Sequence, residues 1–276
     1  MPVPPLFARL VDDAGLFPPE RLPMRDALAR HRADTARSHP VLTHRFLCPA
    51  SRLAELRAGW PDPRESVRVG LIVDTGFAGL SAALDEIAAD PRLRLETVEI
   101  ALPAADAAQA ARTHVPALAR VEAEVFVEIP RTAAWREALA VVAAAGVGAK
   151  VRCGGVRAEL FPTRAELAAV VVTAVSAGVA CKATAGLHHA VRYRDPATGF
   201  GHHGFVNLLV ATCRAVRQAS AADVEAALEI DDAAVLADEA RAVADPVART
   251  ARRTLVAYGS CSTREPIADL AALALI

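Results

Sequence analysis

Short apolar runs alternate with amphipathic, alanine-rich stretches along the whole chain, and this constrains its fold more than any other feature. Runs bounded by turn residues read as strands, and apolar residues spaced three and four apart read as helices. The strand-like runs are a brief one within 6–19 that ends at Asp12 and Asp13, then 41–47, 67–74, 95–102, 124–129, 146–152, 178–184 and 254–259. Seven of the eight lead directly into helical pattern, at 23–36, from Ser51, after Gly76, and over 105–118, 133–145, 163–177 and 205–219. Thr163 and Glu166 form a capping-box pair at the start of one of these helices.

Alternation of this kind with short connections predicts parallel strands joined by right-handed crossovers. At 276 residues the simplest closed arrangement is a (β/α)8 barrel, a TIM-like α/β fold, forming one domain over 1–276. Residues 220–253 read as a helical excursion before the last strand. If the first run does not form a strand, the alternative is a doubly wound open parallel sheet.

Charge and targeting signals narrow the function classes. Lys plus Arg number 31 against 32 Asp plus Glu, a net charge of −1 without like-charge blocks. Nothing in that pattern favours nucleic acid or an anionic membrane as partner. The opening MPVPPLFARLVDD lacks the apolar core of a signal peptide, and the most apolar stretch, 167–181, is shorter than a bilayer span of about 20 residues. Five cysteines, an odd number with no CxxC pair, argue against a disulfide framework and fit a reduced, cytoplasmic compartment. No dinucleotide fingerprint is present, so no cofactor is expected; a homo-oligomer is left open.

Charged residues stand where a parallel barrel is normally apolar on both faces. Glu99, Glu128, Lys150 and Lys182 occupy four successive strands near their carboxyl ends. Strand alternation places Arg152 on the face of Lys150 and Thr184 on the face of Lys182. Lys150 and Lys182 are also the sole lysines, the other 29 basic residues all being arginine. An amine can titrate and attack a carbonyl where a guanidinium cannot. A second cation within about 6 Å, together with desolvation, lowers a lysine pKa toward neutrality.

The strand ends AKVRCGG and CKATAG are similar to the tandem lysine strands of class I aldolase barrels of the deoxyribose-phosphate aldolase type. That resemblance implies that one lysine forms a Schiff base with a carbonyl substrate while the other tunes it. Here the Gly-Gly lysine comes first, and Arg152 with Cys153 interrupts the small-residue pattern. Together, DDAGLFPP, KVRCGG, KATAGLHH and YGSCS also resemble a bacterial family without an established activity, a resemblance that carries no mechanism.

The leading expectation is therefore a lyase or isomerase acting on a small, optionally phosphorylated carbonyl compound. Lys182 is the expected nucleophile, Lys150 its pKa-lowering neighbour, Glu128 or Glu99 the proton shuttle and Arg152 the anion clamp. His188 is a candidate general acid or base. Thr184, Arg45, Asp74, Gly259 and Ser260 are candidates for substrate contact, with Asp12 and Asp13 behind them.

A second expectation, a metal-dependent hydrolase or lyase, rests on the pairs His188-His189 and His202-His203 in the loop after the seventh strand, with His188, His202 and Glu128 as divalent-metal ligands. A third is a non-catalytic barrel binding a small anion or a partner. Cys153 and Cys261 lie near the expected mouth without a histidine beside them in sequence.

Overall fold

The computed structural model describes residues 2–62 and 64–276. Its strands are β1 (Val11–Asp13), β2 (Leu42–Pro49), β3 (Val67–Val73), β4 (Leu93–Ala101), β5 (Glu124–Glu128), β6 (Gly148–Arg152), β7 (Cys181–Thr184), β8 (Tyr193–Arg194), β9 (Gly201–His202) and β10 (Leu255–Ser260). Eight of them close a parallel barrel in the order β1-β2-β3-β4-β5-β6-β7-β10. Closure depends on β1, which pairs with β10 on one side and β2 on the other. This is the (β/α)8 arrangement that the alternation predicts, and the open-sheet alternative is ruled out.

Each barrel strand leads into helix. The principal helices are Met24–Arg37, Leu53–Gly59, Gly76–Ala88, Ala107–Leu118, Trp135–Ala144, Arg164–Ala177, Phe205–Val216 and Glu265–Ala272. Three further helices, Ala221–Ala227, Ala233–Arg241 and Asp245–Thr254, fill the excursion before β10. Outward strand residues such as Val69, Leu71, Val98, Ile100, Val127 and Ala149 are buried beneath the helical layer. The span Ala158–Ala177 matches a membrane crossing in length and mean hydropathy, 20 residues at 1.4. In the barrel its helical part buries Leu167, Ala168, Val170, Val171 and Ala174 against the core.

The lysine strands are framed by stop signals. Thr163 and Glu166 make the expected reciprocal cap on the helix leading to β7. That helix ends on Gly178 at φ +66, a left-handed conformation that costs an L side chain about 1 kcal/mol or more. The polar loop expected after β7 instead contains the antiparallel β8–β9 hairpin, with Tyr193 opposite His202. Strands of two residues offer no periodicity, so composition alone reads them as loop.

Two irregularities shape the barrel interior. His44, inside β2, has φ 56 where the β1–β2 register shifts, and the bulge aims both Thr43 and Arg45 at Asp12. On β4 the register runs from Val69↔Leu95 to Gly70↔Thr97, leaving Glu96 as the extra residue. It turns toward Arg45 and Arg68.

Candidate active site

Because β7 and β4 are not neighbours, a contact between them has to cross the barrel interior. Lys182 Nζ makes that crossing, pairing with Glu99 Oε1 and with Asp12 Oδ2. Glu99 uses its other oxygen on Lys150 Nζ at 2.8 Å. Lys150 in turn reaches Glu128 Oε2 at 3.0 Å, and Arg152 Nε takes Glu128 Oε1 at 2.9 Å. In the opposite direction Asp12 accepts from Thr43 Oγ1 at 2.7 Å and from Arg45 Nη1 at 3.1 Å. Arg45 Nε donates to Glu96 at 3.1 Å, and Glu96 also pairs with Arg68.

The result is a strictly alternating ladder: Arg68, Glu96, Arg45, Asp12, Lys182, Glu99, Lys150, Glu128, Arg152. It starts near the amino ends of β3 and β4 and emerges at the carboxyl mouth, where Glu128 and Arg152 are the last residues of β5 and β6. The mouth is where barrels of this class place reactive groups. Exposure is greatest at its two ends, 29% for the Arg68 side chain and 41% for Arg152, and least between them, 1% for Lys182.

The electrostatics follow from this order. Burial pushes the Glu99 carboxyl up, but the Lys150 and Lys182 ammoniums outweigh it and hold it at about 2. Glu128 is likewise held below the usual carboxylate range, burial being outweighed by Lys150 and Arg152. Burial lowers the Lys150 amine, yet Glu99 and Glu128 carry its pKa above the ordinary value. The Lys150 amine is thus held in its charged form. The two lysines do not confront each other, because Glu99 stands between them and each ammonium faces carboxylates instead.

The structure brings together Lys150, Lys182, Glu99, Glu128, Arg152 and Arg45 from the expected set. It adds Asp12 as a central member and Thr43, Glu96 and Arg68 as members that the sequence did not single out. Asp13 faces the other way, taking Arg30 and, at 3.0 Å, His31 from the first helix. Gly259 pairs with Thr184 at the mouth, where a Cβ on Gly259 would stand 3.8 Å from the Thr184 hydroxyl. Ser260 Oγ donates to the Ser262 carbonyl at 2.7 Å, which fixes the turn after β10. Asp74 stands apart from the ladder. It accepts from Ser51 N at 3.0 Å and from the Ser51 hydroxyl, capping the turn that follows β2. All five cysteines are free and buried; burial pushes the Cys153 thiol far up and that of Cys261 up less.

The histidines form a separate aromatic cluster over the β7 exit. His202 stacks on Tyr193 at 4.7 Å, meets Phe161 edge-on at 4.7 Å and lies 6.0 Å from His188. Its Nδ1 is 3.2 Å from the Gly186 carbonyl. His203 Nε2 holds the Pro162 carbonyl at 2.8 Å, and His189 holds Asp269 at 3.3 Å. His188 is half-buried, and burial together with the neighbouring His202 and His189 lowers its pKa. Its ring neighbour is His202. Among the described residues no three His, Cys, Asp or Glu side chains converge as metal ligands, so His188, His202 and Glu128 are not brought together.

Two left-handed residues, Ala185 at φ 55 and Gly186 at φ 72, turn the chain sharply just beyond Lys182 and Thr184. A Cβ on Gly186 would stand 2.7 Å from the Cys153 carbonyl oxygen and from Gly154 Cα, so the exits of β6 and β7 touch backbone to backbone. That contact holds the two lysine strands in fixed relation at the mouth.

Fold and site together define a (β/α)8 barrel, a class that hosts many enzymes, with an ion ladder emerging at its carboxyl end. No family model, curated protein or solved structure matches the chain.

Proposed function

We propose that the protein is an enzyme acting on a small carbonyl compound through a Schiff base, of lyase or isomerase type, with Lys150 as the nucleophile. The observation that carries this reading is the position of Lys150, an amine flanked by two carboxylates one strand step below a solvent-reaching arginine. Lys182 has the expected chemistry but the wrong surroundings, lying beneath the mouth at 1% exposure with both of its carboxylates engaged. Its charge neutralises Asp12 and Glu99, which lets Glu99 stay ionised against Lys150. In this scheme Lys150 gives up a proton to an adjacent carboxylate, its amine adds to the carbonyl, the carbinolamine hydroxyl takes a proton back from that carboxylic acid and leaves as water, and the resulting iminium withdraws electrons from the neighbouring carbon. Glu128 and Glu99 then stand within reach to move protons.

Borohydride reduction in the presence of a panel of small aldehydes and ketones, followed by peptide mass mapping, tests the reading. An adduct on Lys150 is expected, and Lys150→Met abolishes it while Lys182→Met weakens it. Absence of any adduct on Lys150 across the panel overturns the proposal. The second reading, a non-catalytic anion-binding barrel, is favoured by the full pairing of both ammoniums. It predicts anion-dependent melting with no adduct.

A further inference from the structure

Arg152 differs from the other ladder cations in what it leaves unused. Lys150, Lys182 and Arg45 each contact two carboxylates, and Arg68 grips Glu96 through both Nε and Nη2. Arg152 gives only its Nε to Glu128, and its two amino groups take no partner among the described residues. They belong to a side chain 41% exposed at the carboxyl mouth. A guanidinium anchored through Nε and free at both amino groups presents the planar fork that binds carboxylate or phosphate.

Glu128 is in turn held by one cation on each oxygen, Lys150 on Oε2 and Arg152 on Oε1, with Glu99 facing it across the Lys150 amine. An ammonium cannot attack a carbonyl, so Lys150 needs a proton acceptor. Glu99 is committed to two ammoniums, and protonating it would leave Lys182 with Asp12 alone in the interior. Glu128 has a single other counter-ion, and that one can be reached from solvent.

We propose that an anionic group of the substrate, seated on the free amino groups of Arg152, neutralises this guanidinium and so turns Glu128 into the proton acceptor of Lys150. The inference rests on the Schiff-base reading and adds to it an order of events. The proton passes from Lys150 Nζ to Glu128 Oε2, ammonium and carboxylate becoming amine and carboxylic acid with no other bond changed. The freed lone pair is then available to the carbonyl carbon. Residues two apart on one strand face are separated by about 7 Å. The substrate is therefore a short carbonyl compound with a carboxylate or phosphate only a few bonds from the carbonyl, and the nucleophile stays capped by its proton until such a molecule arrives. The depressed Glu128 carboxyl, held down in part by Arg152, is consistent with this gate.

The chain has only two lysines, so lysine-labelled protein gives two side-chain signals in an NMR spectrum. The Lys150 signal carries an acid-side step when Glu128 protonates, and inorganic sulfate, which contains no carbonyl, is the probe. Sulfate is expected to move that step to higher pH in the wild type and to leave the Lys182 signal in place. In Arg152→Gln the step begins high and ignores sulfate. A wild-type step indifferent to sulfate, or one that moves equally in the variant, overturns the gate; the wild-type arm decides even where the variant fails to fold.

Borohydride trapping with acetone, a neutral ketone, separates the two claims. Sulfate should speed wild-type trapping several-fold, and Arg152→Gln should trap at the faster rate without it. Trapping at one rate with and without sulfate overturns the gate and leaves the Schiff base standing. No adduct alongside a sulfate-shifted step overturns the Schiff base and leaves the gate.

Discussion

Glu99 is the residue on which the interior charge balance turns, since one carboxylate neutralises two ammoniums through its two oxygens. Removing one partner of a buried ion pair is costly because the survivor stays uncompensated, typically about 3–5 kcal/mol. Glu99→Gln is therefore expected to lower the urea midpoint strongly and to bring the Lys150 pKa down, because burial pulls that amine down and Glu99 is the strongest attraction holding it up. The acid side carries a signature as well. The Glu99 carboxyl is lower in the folded protein than its ordinary 4.5, so its stabilisation is complete above that pH and is lost as pH falls toward about 2. Urea midpoints measured across this window should fall steeply in the wild type and more gently in Glu99→Gln. Parallel curves for the two proteins would refute the assignment. Lys150 has the opposite sign: its stabilisation is full below the ordinary lysine range and is lost as pH rises through the raised folded value.

At the scale of elements, the three-residue strand β1 does two jobs with adjacent aspartates. Alternation points Asp12 inward to Lys182, Thr43 and Arg45, and Asp13 outward to Arg30 and His31 on the first helix. Asp12→Asn and Asp13→Asn should each destabilise, by about 1–3 kcal/mol for a buried, charge-assisted contact. Only Asp12→Asn should change adduct formation on Lys150, because only Asp12 shares Lys182 with Glu99. Chemical denaturation and borohydride trapping on the same two variants test this, and an equal effect of both on trapping would contradict the inward and outward roles.

The same strand shows what the sequence could reveal. Glu99, Glu128, Lys150 and Lys182 were legible because a charge inside an apolar parallel strand breaks a strong pattern. Asp12 carried less signal, since a run this short has no period from which to read its face. Thr43 and Glu96 join the ladder through bulges at His44 and Glu96, and a bulge changes which side a residue faces without leaving a mark in hydrophobic spacing. Arg68, the second residue of β3, is a polar residue at a strand start, where charge is ordinary and no pattern marks it as a ladder member. The direction of the Lys150 shift was illegible for a related reason. Register gave the two amines adjacent positions, whereas only side-chain geometry puts Glu99 between them.

Across the whole molecule, the ladder replaces apolar packing through the barrel from one end to the other. Charged interiors of this kind are often no more stable than hydrophobic ones of equal volume. If the ladder is retained for chemistry, a charge-neutral deletion should restore stability and abolish reactivity. Lys182→Met with Glu99→Leu is such a deletion: Asp12 keeps Arg45 and Thr43, and Lys150 keeps Glu128. Each single substitution should cost about 3–5 kcal/mol. The double variant should fall short of their sum by a coupling of about 1–3 kcal/mol or more, read from a double-mutant cycle in urea. The same double variant should form far less borohydride adduct on Lys150, because Glu99, the carboxylate that aligns the Lys150 amine with its proton acceptor Glu128, is gone. Additive destabilisation would mean that the two side chains do not act as one ion pair. A stable double variant that still forms the adduct would mean that the inner half of the ladder is packing alone, with reactivity resting on Lys150, Glu128 and Arg152.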